Sequence, residues 1–171
     1  IIFTEDMKRR VWLVNNYMHN KFRAIACILL NFVFITILIG QKNNFQRIKN
    51  RYIAELSSAE QEIEHIKQIL IQQTQAGSWR AIDYNDRQAA GWDGFSHWQK
   101  INDLAIFYHN NPDHEYTADA FESIKAGMNY WFTTRPRSSN WWYNQIAVPR
   151  LMGESSLLIE ENLSPALLDS I

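Results

Sequence analysis

At 171 residues with a formal net charge of −1, the chain is long enough for one domain. It is too nearly neutral for general nucleic-acid binding, which needs clustered cations to release counterions. A hydrophobic content of 46% supports a core. The single cysteine, Cys27, excludes an internal disulfide, and no CxxC, HExxH or phosphate-cradling glycine loop occurs, so neither a metal nor a cofactor is expected.

Residues 1–23 are basic, with Lys8, Arg9, Arg10, Lys21 and Arg23. Residues 24–39 are almost wholly apolar, broken only by Asn31 and Thr36. A helix over that run spans roughly 24 Å, short of the roughly 30 Å hydrocarbon core. A basic start, an apolar run and a polar exit at Gly40-Gln41-Lys42-Asn43 read as a secretory signal, with an uncleaved membrane anchor as the alternative. Met7 and Met18 both serve as candidate starts. The chain begins without methionine and stops within an apolar helical pattern, which leads us to expect a fragment of a longer reading frame.

The spacing predicts one long helix over 43–75. Phe45, Ile48, Tyr52, Leu56, Ala59, Ile63, Ile66 and Leu70 recur at intervals of three and four. Asn43 or Asn44 can cap its start and Gly77 ends it. Packing of this stripe on its own domain, as a monomer, is expected over a coiled-coil dimer. Residues 77–96 read as an irregular segment rich in glycine, aspartate and rings. Asp83, Asp86 and Asp93 fit turn and cap chemistry, the alternative being the paired acids of a glycoside hydrolase.

A helix is predicted over 95–110, with Phe95, Trp98, Ile101, Ala105 and Tyr108 on one face and His97 as a hydrogen-bonded packing residue. Thr117 is expected to cap the next helix, whose apolar face is Ala120, Phe121, Ile124, Met128, Trp131 and Phe132. A further helix should start near Trp141 and reach about Asn162, kinked or restarted at Pro149. Ser164 and Pro165 should open a last one. No alternating polar–apolar run competes, so the fold class is all-α.

The run Asn140-Trp141-Trp142-Tyr143 poses a problem of its own. Successive helical residues point about 100° apart, so three adjacent rings cannot share one interior. Either two rings pack under a neighbouring helix and the third covers the rim, or flat rings beside amides and Arg150 line a sugar-binding groove.

The run Asn140-Trp141-Trp142 followed by Ile146-Ala147-Val148-Pro149-Arg150 and a helix resembles the helical domain of polysaccharide lyase family 8, which includes chondroitin AC, hyaluronate and xanthan lyases. Gly77-Ser78-Trp79, Ile82-Asp83-Tyr84, Asp86, Trp92 and His97 resemble the opening of the same domain. The resemblance covers about residues 45–171 and implies an incomplete α/α toroid of antiparallel helical hairpins. It also implies β-elimination of uronic-acid-containing polysaccharide, without metal, by an asparagine, a histidine and a tyrosine beyond this chain and an arginine. Asn140, Trp141, Trp142 and Arg150 match the family's substrate-binding residues, and no catalytic residue is expected here. Ala147-Val148 departs from the glycine and threonine of many relatives. The implied organisation is a basic N-terminus with signal or anchor at 1–41 and the toroid from 42 to 171. The implied partner is an acidic polysaccharide, not nucleic acid, with the membrane touched only through the N-terminal segment and the protein secreted or periplasmic. A non-catalytic, membrane-tethered helical carbohydrate-binding or scaffold protein is the alternative, and an α/α-barrel hydrolase using Asp83 or Asp86 ranks third.

Overall fold

The structure, a computed structural model, describes residues 44–169 and a few scattered positions before residue 22. The apolar run at 24–39, with the expected signal or anchor and Cys27, lies outside the described residues, as does Asn43. Among the described residues no helix is long and apolar enough to cross a membrane. Two compact units divide the chain, Ile1–Asn50 and Arg51–Ile171. Apart from the first residues of α1, every feature discussed below lies in the second.

The described residues form helices and irregular segments, without a named strand. Helix α1 covers 44–56. It is followed by α2 (Ile63–Gln72), α3 (Phe95–Asn110) and α4 (Thr117–Thr134). A π-helical turn at Tyr143–Ala147 then leads into α5 (Val148–Ile159), a 3-10 turn and the short α6 (Pro165–Leu168).

The single helix expected over 43–75 is two helices. The apolar stripe runs on through Ala59 and Ile63, but the backbone does not. Ser58 turns its hydroxyl onto the Glu55 carbonyl at 2.7 Å, a local bond by which serine competes with helix continuation. The Asn110 amide, from the end of α3, donates to the Ser57 carbonyl at 2.8 Å. That bond satisfies a carbonyl at the point where the helical ladder ends. In α2 the fully buried residues are Ile66 and Ile69, while Leu70 of the expected stripe is half-buried.

Helix α3 matches its expected bounds and forms the centre of the unit. Ile101, Leu104, Ala105 and Phe107 are completely enclosed, with Ile101, Leu104 and Phe107 each stabilising by roughly 1.5–3 kcal/mol. Helix α4 returns antiparallel to α3. Trp98 near the start of α3 meets Trp131 and Phe132 near the end of α4, and Tyr108 stacks on Phe121 at the other end. Helix α5 lies along α3 in the same direction: Phe95 faces Tyr143, Asn102 meets Ser155, and His109 meets the Leu158 carbonyl. The expected all-α class and hairpin packing therefore hold.

Thr117 does not cap α4 with its side chain. The helix's N-cap is Tyr116, and the Thr117 hydroxyl donates instead to the Asn111 carbonyl. Its hydroxyl thus closes the short α3–α4 loop. Ser164 does cap α6, accepting from the Leu167 amide, with Pro165 in the first turn.

The segment between α2 and α3 is pinned by its rings. Trp79 is buried and its indole N–H donates to the Ile69 carbonyl at 3.0 Å. Trp92, also buried, donates to the Asp86 carbonyl. Gly77 holds φ +92 where the loop presses on α4, a backbone conformation glycine adopts without steric cost.

Candidate functional site

The three adjacent rings divide as their geometry requires. Tyr143 turns inward, edge-on to Trp92 and tilted against Phe95, with centroids at 5.7 and 5.4 Å. Trp141 and Trp142 stay outside, 61% and 44% exposed. Trp142 rests edge-on against Tyr143. The groove reading of these two rings is thus open, and the buried-pair reading is not realised.

A clamp of polar groups fixes the backbone beneath the tryptophans. The Asn140 Oδ1 accepts the Trp142 amide at 3.0 Å, and its Nδ2 donates to the Ala89 carbonyl at 2.9 Å. Asn144 accepts the Ser138 amide and donates to the Ser138 and Asn140 carbonyls. The Ser138 hydroxyl donates to the Gln88 carbonyl. Residues 138–140 are thereby tied both to the first helical turn and to the aspartate-rich loop fifty residues earlier in the chain. Much of the Asn140 amide is committed to this clamp, with one N–H remaining for a ligand. Ser138 was not singled out in the sequence, and Asn144, one of the amides beside the rings, is spent on this clamp.

Beyond the tryptophans the helix widens. The Val148 amide reaches back five residues to the Tyr143 carbonyl, the bond of a π turn. Pro149 has no N–H and its ring crowds the carbonyl four residues back, so a wider turn accommodates it. The consequence is registry. Eight residues of α-helix would rotate Arg150 about 80° from Trp142, whereas one inserted residue brings it to within about 20°. The exposed residues accordingly fall in pairs four apart: Trp141 and Trp142, Gln145 and Ile146, Pro149 and Arg150. They make one straight face with two large rings at one end and a guanidinium at the other.

Arg150 is itself held. Its Nη1 lies 3.4 Å from Glu154 Oε1, one turn on. Glu154 is buried, and the same oxygen accepts the Tyr52 hydroxyl at 2.9 Å. That hydrogen bond, more than burial, raises the Tyr52 pKa above its ordinary value.

Beside this face lies a groove of about 280 Å³ between the end of α4 and the π turn. A larger hollow of about 600 Å³ opens between α2 and α4, around Leu70, Tyr116 and Ser123. Neither is lined by Asp83, Asp86 or Asp93, the residues considered as the acids of a hydrolase. Asp83 accepts the Asn85 amide, and Asp86 accepts those of Gln88 and Asp93. The Asp93 amide first, then that of Gln88, holds the Asp86 carboxyl below its usual range, the opposite of what a general acid needs. His97 offers no base. It is fully buried, with Nε2 donating to the Gly127 carbonyl at 3.0 Å and Nδ1 accepting the Tyr84 hydroxyl at 2.9 Å. Burial lowers its pKa to about 3. Among the described residues no group of histidine, cysteine, aspartate or glutamate could hold a metal ion.

Comparison with known proteins agrees with the all-helical fold. Residues 36–171 match the polysaccharide lyase family 8, N-terminal alpha-helical domain. The chondroitinase-AC of Pedobacter heparinus is 31% identical over 90 residues, 52% of this chain and 13% of that protein. A solved chondroitinase AC lyase, determined as enzyme–oligosaccharide complexes, shares the fold with a TM-score of 0.62 at 24% identity, over 72% of this chain and 19% of that one. The chain thus spans less than a fifth of the length of either. It belongs to polysaccharide lyase family 8, within the N-terminal helical domain.

Proposed function

We propose that this chain seats a uronic-acid-containing polysaccharide, of the chondroitin or hyaluronan kind, for cleavage by β-elimination. Trp141 and Trp142 cover apolar sugar faces, Arg150 faces a carboxylate, and Asn140 fixes the turn and offers its remaining N–H. The observation that carries this reading is the pairing of two exposed tryptophans with an arginine on one helical face, in a chain of a polysaccharide lyase family.

The magnitudes are adequate for seating and too small for chemistry. A tryptophan buries roughly 150–250 Å² and apolar area stabilises by about 25 cal/mol per Å². A sugar covers one face of a half-exposed ring, so each contributes roughly 1–2 kcal/mol, about tenfold in affinity. Elimination needs more. The carboxylate must be neutralised so that the neighbouring carbon acid loses its proton to a base while an acid protonates the leaving oxygen. In this reading the asparagine, histidine and tyrosine that do so belong to the part of the family's chain that these residues do not span.

On the same reading residues 1–41 serve as signal or anchor, 42–171 begin the toroid, and the protein works outside the cytoplasm as a monomer. The test is calorimetric titration of the chain with a chondroitin hexasaccharide. Saturable binding that weakens about tenfold in Trp142→Ala supports the reading. Absence of binding, or equal affinity in the variant, overturns it.

A further inference from the structure

The groove beside the tryptophan face has an unusual lining. Its floor is aromatic, from Trp92, Trp131 and Phe132, and its rim carries Arg135, Arg137 and the Asn144 amide. No aspartate or glutamate lines it. Pro149 belongs both to this groove and to the exposed face that bears Arg150, so the two are continuous.

Both arginines are held in place, Arg135 at a cost. Arg135 ends α4 in the left-handed conformation, φ +49, a position at which glycine or asparagine is favoured. Its Nε donates to the Phe132 carbonyl, covering the helix end that would otherwise repel an anion. Arg137 sits between buried Pro136, whose φ is fixed, and buried Ser138, which is clamped through Asn144 and Gln88. Its exposed guanidinium has no hydrogen-bond or ion-pair partner among the described residues. A rigid backbone thus presents one unpaired cation, and a strained residue presents a second, over a floor of rings. The volume suits one substituted sugar ring, not a length of polymer.

We propose that this groove binds the anionic substituent, a sulfate ester or a carboxylate, of a sugar neighbouring the one seated on Trp141 and Trp142. This rests on the glycan-seating role proposed above and assigns Arg135 and Arg137 as the residues that read charge on the polymer. Guanidinium donors pair with such oxyanions in fork geometry, and the ring floor takes the apolar side of the pyranose.

The test titrates the protein and Arg135→Ala/Arg137→Ala with three tetrasaccharides at fixed ionic strength. These are a sulfated chondroitin, its unsulfated counterpart and a carboxyl-reduced, unsulfated form. The double variant should lose about tenfold in affinity for a charged ligand and nothing for the neutral one. A loss confined to the sulfated ligand identifies the sulfate ester, and a loss on both charged ligands identifies the carboxylate. Unchanged affinity for both charged ligands, or an equal loss on the neutral one, overturns the proposal. Trp142→Ala separates the two ideas, since it should weaken all three ligands alike. If it does while the arginine variant has no effect, only the groove assignment falls. If no tetrasaccharide binds, both fall.

Discussion

The Tyr52 hydroxyl donates to Glu154 across 102 residues of sequence, at 2.9 Å. The same carboxylate oxygen meets Arg150, so a tyrosine on the first helix restrains an arginine on the fifth. Tyr52→Phe should cost about 1 kcal/mol of stability, the net worth of one hydrogen bond. Glu154→Gln keeps an acceptor for the tyrosine but removes the charge that aims Arg150. Its expected result is a several-fold loss of affinity for acidic glycan at nearly unchanged melting temperature. Parallel calorimetry and thermal melts decide: a large melting shift in Glu154→Gln would assign the residue to folding instead.

Asn140 supports a second prediction. Its side chain caps the turn that carries Trp142 and tethers it to Ala89. Asn140→Ala should therefore destabilise by about 1–2 kcal/mol and mobilise both indoles. Asn140→Asp retains the acceptor for the Trp142 amide and loses only the donor to Ala89, so its cost should be smaller. Chemical denaturation of the two variants orders them, and an aspartate variant as unstable as the alanine one would contradict the capping role.

What the sequence disclosed follows from how local each feature is. The bounds of α3 and the start of α6 rest on periodicity and on Ser164-Pro165, both within a few residues, and both were legible. The break after α1 was not. The hydrophobic stripe crosses it without interruption, and it depends on Asn110 reaching the Ser57 carbonyl. Pro149 announced a disturbance, but not that a π turn would bring Arg150 into line with Trp142. Asn140 was assigned to sugar contact through the family resemblance. That most of its amide is taken by the turn and by Ala89 depends on a loop 51 residues away.

Acid should weaken the fold through His97. The folded imidazole stays neutral to about pH 3, whereas an unfolded one takes up a proton below about 6.5. The unfolded state thus binds more protons throughout that window, so stability falls as pH drops through it, by up to about 1.4 kcal/mol per pH unit. His97→Gln keeps a donor for the Gly127 carbonyl and cannot titrate. It should be less stable near neutrality and show a shallower decline. Urea midpoints on either side of the window test this, and equal slopes for wild type and variant would exclude His97 as the source.

Gly77 is where the loop and α4 come closest. A Cβ there would lie 2.1 Å from the Ala126 carbonyl oxygen and 2.5 Å from its carbon, at φ +92. The obstacle is backbone, which cannot rotate away as a side chain can. The adjoining carbonyl, that of Gly127, receives the His97 imidazole, so displacing this part of α4 also strains the buried histidine. Gly77→Ala should cost more than about 3 kcal/mol. Gly91 provides the control. Its φ of +66 is equally left-handed, yet nothing lies within 4 Å of an added Cβ. Gly91→Ala should cost only about 1 kcal/mol, the conformational part alone. Denaturant titrations of the two variants separate backbone conformation from collision, and equal losses would show that the contact with Ala126 is not what requires glycine at position 77.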